Sequence, residues 1–118
     1  MKKNVMLAVV LLVVSVSLLG CSGGKKDSRT LDDFIKAYTD QDIAVDKEER
    51  PLFSMIGASD GVIFKMDDKV VKIYSYKSVK DLEKAEKDFE IIKDWPTNGR
   101  FLLETSSEDA TKIFNDIK

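Results

Sequence analysis

Val62-Ile63-Phe64-Lys65-Met66-Asp67-Asp68-Lys69-Val70-Val71-Lys72-Ile73-Tyr74-Ser75-Tyr76 is the stretch on which the fold turns. Two runs rich in β-branched and aromatic residues, Val62 to Met66 and Lys69 to Tyr76, meet at Asp67-Asp68, which predicts a β-hairpin. A two-residue hairpin turn needs positive φ at its central residues, which Asp-Asp tolerates less readily than Asn-Gly. That turn sets the register, with Met66 opposite Lys69, Phe64 opposite Val71 and Val62 opposite Ile73. The pleat then sorts the side chains. Val62, Phe64, Met66, Val71 and Ile73 share one face, predicted to be core. Ile63, Lys65, Val70, Lys72, Tyr74 and Tyr76 share the other, a mixed face that fits a sheet wholly or partly uncovered on that side.

Around the hairpin the apolar period is helical. Thr30 with Asp33, Ser78 with Asp81, and Ser106 with Asp109 each place a hydroxyl and an acid at the spacing of a capping box. Asp in place of the usual Glu or Gln still suits the positive end of the helix dipole. Behind these starts come the stripes Leu31, Phe34, Ile35, Tyr38; Val79, Leu82, Ala85, Phe89; and Ala110, Ile113, Phe114, Ile117. Charged pairs on the outer faces, such as Glu83 with Lys87 and Glu108 with Lys112, read as solvated i, i+4 pairs. Arg100 to Thr105 predicts a further strand, entered through the loop Trp95-Pro96-Thr97-Asn98-Gly99, and Ile43 to Val45 a short one. Pro51 to Ala58 fits either a short buried helix or an extended segment. The resulting class is α+β, two-layer, with a mainly antiparallel sheet, a central β-hairpin and three amphipathic helices.

The amino terminus follows another logic. Lys2 and Lys3 precede an apolar run from Val5 to Leu19, interrupted by Ser15 and Ser17, and Leu18-Leu19-Gly20-Cys21 closes it with the chain's single cysteine. This resembles the lipobox of bacterial prolipoproteins. The resemblance implies cleavage between Gly20 and Cys21, a diacylglyceryl thioether on the Cys21 sulfur, and often an acyl chain on the new amino terminus. Competing readings are a plain secretory peptide cut after Gly23 or Gly24, and an uncut membrane helix. The apolar run falls short of the roughly 20 residues a spanning helix wants, and neither alternative accounts for a lone cysteine in an exported chain. The expected organisation is a signal peptide over residues 1–20, a lipidated flexible tether over 21–29, and one small domain over 30–118. In the tether, Lys25, Lys26 and Arg29 either attract anionic headgroups or are merely solvated. The chain carries a formal charge of −2, and loss of Lys2 and Lys3 makes the remainder more negative. Nucleic acid is therefore not expected as a partner.

Catalytic chemistry finds few candidates. There is no histidine, which removes the commonest general base and metal ligand. Gly57-Ala58-Ser59-Asp60-Gly61 matches the nucleophile-elbow pattern, but the elbow needs a strand before it, a helix after it and a later histidine. A tight connection, with a turn at Asp60-Gly61, is the better account. Asp94, Asn98 and Gly99 occupy positions one, five and six of a calcium loop, yet Pro96 and Thr105 stand where ligands belong. No catalytic residue, metal or cofactor is expected beyond the lipid on Cys21. Tyr74, Tyr76 and Trp95 are the candidate binding residues, since aromatics on a wet surface favour interfaces. The alternative is that Trp95 plugs the core edge and a helix covers the tyrosines.

The globular part is similar to small lipoproteins of low-GC Gram-positive bacteria through Pro51-Leu52-Phe53, Met55-Ile56-Gly57-Ala58, Asp60-Gly61-Val62-Ile63-Phe64 and Lys72-Ile73-Tyr74. That resemblance implies no activity. The expectation is a non-enzymatic lipoprotein on the extracytoplasmic face of the cell membrane, held by its lipid anchor and binding another envelope protein. A module that binds a small ligand or cell-wall fragment through exposed aromatics is the alternative, with an enzyme third. The first calls for a flat exposed patch, the second for a concave pocket of a few hundred Å³.

Overall fold

The computed structural model describes residues 27–118. Strands β1 (Asp60–Met66) and β2 (Lys69–Ser75) form the hairpin in the register set by the two-residue turn. Asp67 and Asp68 adopt φ values of 51° and 66°, the left-handed pair whose twist matches that of the flanking strands. β1 begins at Asp60, so Asp60-Gly61 is extended rather than a turn. Gly61 is buried there beneath Pro51 and Phe53, and a Cβ would stand 3.1 Å from the Pro51 ring and 3.2 Å from the Ile73 carbonyl oxygen.

Two more strands, β3 (Thr97–Asn98) and β4 (Phe101–Thr105), complete an antiparallel sheet of order β1-β2-β4-β3. β3 lies in a stretch expected to be loop, and pairs because Gly99 takes φ 64° and lets the chain fold back tightly on β4. Ile43 to Val45, by contrast, forms no strand. The chain turns through Asp42 at φ 64°, and the Ile43 N–H returns to the Tyr38 carbonyl at 3.2 Å, so this backbone serves a helix end. Ile43 and Val45 still pack their side chains on the core.

Helices α1 (Leu31–Thr39), α2 (Val79–Asp88) and α3 (Glu108–Asp116) start as the capping chemistry dictates, with one displacement. At α1 the box closes in both directions: the Asp33 N–H donates to Thr30 Oγ1 at 3.2 Å and the Thr30 N–H to Asp33 Oδ2 at 2.8 Å. At α2 the Asp81 N–H donates to Ser78 Oγ at 3.0 Å. At α3 the cap is Ser107, not Ser106. Its hydroxyl accepts from the Ala110 N–H at 3.1 Å, and its own N–H donates to Thr105 Oγ1 at 3.1 Å. Ser106 is exposed while Ser107 is buried, so the hydroxyl facing the helix end is the second. The apolar stripe of α3 keeps its phase, because packing rather than the cap sets it.

The architecture is α+β with an open antiparallel sheet. α1 and α3 cover the face carrying Val62, Phe64, Val71, Ile73, Phe101 and Leu103. α2 adds a partial layer on the opposite face, over Tyr74, Tyr76 and Leu102, with Ala58, Leu82, Ala85 and Ile92. Two 3-10 turns, Phe53–Ile56 and Glu90–Ile92, complete that layer. The segment from Pro51 to Ala58 is thus neither extended nor a buried helix. Phe53 and Ile56 pack inward, while Leu52 and Met55 stay exposed.

Aromatic contacts carry the first core. Phe34 stacks on Phe101 with ring centroids 4.0 Å apart, and Tyr38 meets the Phe64 ring edge-on at 5.0 Å. Such pairs add to the area they bury. The Tyr38 hydroxyl donates to the Ala110 carbonyl at 2.8 Å, tying α1 to the first turn of α3, and burial pushes its phenol well above the usual range. Replacing Phe64, which is 7% exposed, by Ala is expected to cost about 3–5 kcal/mol in urea unfolding, as for other large aromatics truncated in a core. A cost below about 1 kcal/mol would mean the two faces of β1 are exchanged.

Candidate functional site

Gly20 and Cys21 lie outside the described residues, so the lipidation site has no geometry to report. Tyr74, Tyr76 and Trp95 do come together, as packing rather than as an open surface. Tyr76 is fully buried and Tyr74 is 5% exposed. Trp95 lies half-buried over Tyr74, rings 6.4 Å apart and 21° from parallel. The Tyr74 hydroxyl donates to Glu104 Oε1 and the Tyr76 hydroxyl to the Ile56 carbonyl, each at 2.8 Å. Burial raises both phenols, that of Tyr76 to about 12. The tyrosines expected on a wet face are therefore structural, because α2 covers that end of the sheet. The face is wet only toward the Asp67-Asp68 turn, where Lys65 and Val70 are exposed and Lys72 and Glu104 half-exposed. Lys72 Nζ stands 3.6 Å from Glu104 Oε1.

A polar cluster that the sequence reading missed sits at the opposite end, where the chain enters the domain. Asp27, its side chain 7% exposed, receives Arg29 Nε and Arg29 Nη2 as a two-pronged pair, both at 2.8 Å. The Arg100 N–H donates to the same carboxylate at 3.1 Å, and Arg100 Nε to the Asp27 carbonyl at 3.1 Å. The Arg100 guanidinium also donates to the carbonyls of Tyr76 and Arg29. Beside it, the Asn98 amide donates to the Phe114 and Ile117 carbonyls at 2.9 and 3.0 Å, satisfying the end of α3. Residues 27–29, expected as tether, thus belong to the folded domain. Asp27 and Arg100 are 73 residues apart, and only the fold-back at Gly99 brings them together.

The Arg29 guanidinium, helped by the backbone N–H groups of Arg100 and Arg29, holds the Asp27 carboxyl down to about 2 from its ordinary 3.8 against the opposing effect of burial. A carboxyl whose folded pKa lies below its unfolded one stabilises above the unfolded value and loses that contribution as pH falls through the folded one. The clip should therefore contribute about 2 kcal/mol above about pH 4, lost toward about pH 2. Urea unfolding of Asp27→Asn is expected to show a shallower loss of stability over that window than the parent chain; equal slopes would refute the linkage. Gly99→Ala should cost about 1–3 kcal/mol, since it combines positive φ with a methyl group driven into the Asp27 carboxylate. Because part of that cost is the collision, adding Asp27→Ala to Gly99→Ala should cost less than the sum of the two single changes.

The sequence decoys take structural roles. Gly57 caps the Phe53–Ile56 turn at φ 73°, the Ser59 hydroxyl donates to the Ser75 carbonyl at 3.0 Å, and a strand follows where an elbow needs a helix. Asn98, at the fifth calcium-loop position, spends its side chain on α3. Among the described residues no group of three or more acidic or thiol side chains is placed to hold a metal ion, and no helix is long and apolar enough to cross a membrane. Open grooves of about 630 Å³ between α1 and α3, and about 810 Å³ beside α2, have many charged side chains in their linings and include neither the tyrosines nor Trp95. Among the described residues, Leu52, Met55 and Ile91 are the large apolar side chains left most exposed, at 76%, 68% and 72%. Comparison with protein-family models, curated proteins and solved structures finds no significant match.

Proposed function

We propose that the chain is a lipid-anchored protein of the extracytoplasmic face of the cell membrane, without a catalytic role, whose small domain binds another envelope component. The observation that carries this reading is the spacing at the amino terminus. The only cysteine follows two lysines and an apolar run, and six residues later the chain is clipped into a folded domain at Asp27. A thiol after a small residue is the substrate that thioether lipidation needs, and two acyl chains hold a protein where one is marginal. The partner surface best supported is the open part of the second sheet face, where Lys65, Val70, Lys72 and Glu104 present mixed charge around an apolar centre without opening the core. Binding by aromatic stacking draws no support, since Tyr74 and Tyr76 are already spent in packing.

The anchor is tested by Cys21→Ser. The variant should lose incorporation of a fatty-acid probe and accumulate as an unprocessed precursor, because both acyl transfer and cleavage lack their sulfur substrate. Retained lipid labelling, or a parent chain whose mature amino terminus is Lys25, would overturn the reading.

A further inference from the structure

Leu52, Met55 and Ile91 are exposed on elements that meet. Leu52 and Met55 flank and occupy the Phe53–Ile56 turn, whose cap, Gly57, lies against Phe89; a Cβ there would be 3.5 Å from the Phe89 ring. Phe89 in turn begins the Glu90–Ile92 turn, in which Ile92 is fully buried and Ile91 faces out. Phe53, Ile56 and Phe89 anchor both turns on the second core. Leu52, Met55 and Ile91 are thus exposed on two turns that share the second core and approach each other at Gly57 and Phe89; together they are called the apolar shelf.

Its place relative to the chain entry is fixed by consecutive hydrogen bonds. Asp27 is held by Arg100, Arg100 Nη1 donates to the Tyr76 carbonyl, and the Tyr76 hydroxyl reaches the Ile56 carbonyl at 2.8 Å. One arginine and one tyrosine therefore separate the root of the domain from the shelf. The segment between Cys21 and Asp27 is five residues, Ser22 to Lys26. Fully extended it reaches about 20 Å, and as a flexible chain about 13 Å on average.

We infer that this shelf beds into the membrane interface, so that Leu52, Met55 and Ile91 orient the domain on the bilayer that holds its anchor. The inference rests on the proposed lipidation of Cys21. With so short a tether the bilayer is present at high effective concentration, so even weak insertion is populated. Charges of both signs lie close by: Lys77 and Asp88 line a groove with Gly57 and Phe89, and Glu90 precedes Ile91 in the chain. Insertion is accordingly apolar in origin and only weakly dependent on anionic lipid.

The test uses the full lipidated chain. With the Cys21 sulfur blocked as a thioether, Leu52→Cys, Met55→Cys or Ile91→Cys supplies the one free thiol, and each position is exposed enough to take an environment-sensitive dye. Val70→Cys, beside the far turn, is the control. In vesicles of phosphatidylcholine with or without phosphatidylglycerol, the three shelf dyes should shift to the blue. Nitroxide-bearing lipid should quench them at least about threefold more than the dye at position 70, to similar extents in both lipid mixtures. Equal quenching at all four positions, in protein that floats with the vesicles, overturns the shelf while leaving the anchor intact. Chain that does not float overturns the anchor and the shelf together. If shelf burial disappears when protein is diluted within the vesicles, a second copy covers the surface and the inference fails.

Discussion

From Val71 to Tyr76 every side chain except Lys72 is buried, and a strand buried on both sides needs an apolar layer over each. β2 also has a strand on both edges, pairing with β1 and β4. Val71 and Ile73 are covered by α1 and α3, Tyr74 and Tyr76 by α2 and the two short turns. The phenols extend that constraint into polar chemistry, because a buried hydroxyl without a partner is costly. Tyr74 finds Glu104 on β4 and Tyr76 finds the Ile56 carbonyl, so the neighbouring strand and the Phe53–Ile56 turn are positioned by the hydroxyls they satisfy.

At the end of the sheet where β2 stops, ordering passes to Arg100. Its guanidinium bonds three backbone carbonyls, from Asp27, Tyr76 and Arg29, and lies 4.6 Å from the centre of the Phe101 ring. Arg29 sits 5.0 Å over Phe34 while pairing with Asp27. A charged pair this close to a core offsets its desolvation only when its remaining donors and acceptors are also satisfied, and here backbone groups supply the partners.

What the sequence made legible was what local spacing decides. The register of β1 and β2 followed from a two-residue turn, and α1 from the reciprocal Thr30–Asp33 cap. Period-two alternation says which side chains share a face but not what lies over it, and so the sequence leaves Tyr74 and Tyr76 open to either a wet surface or a helix cover, and α2 supplies the cover. Ser106 and Ser107 offer the same hydroxyl one residue apart, and only the contact with Thr105 selects the second. Ile43 to Val45 had a strand's composition, but its first N–H was already committed to Tyr38. The Asp27 cluster was invisible for a different reason. Its members are scattered charged residues, ordinary in a chain with 34% charged composition, and they become a site only once Gly99 folds β3 against β4.

These constraints also bear on how an anchored domain would meet a partner. Asp27, Arg100, the start of β1 and the Phe53–Ile56 turn lie at one end of the sheet, and the Asp67-Asp68 turn at the other. The seven residues of β1 span about 20 Å at the usual rise per strand residue. Under the proposed anchoring, the root end faces the bilayer and the strands lift Lys65, Val70, Lys72 and Glu104 clear of the headgroups. Burying Tyr74 and Tyr76 near the root is then compatible with recognition, because the half of the second face that α2 leaves open is the half a partner in the envelope can reach.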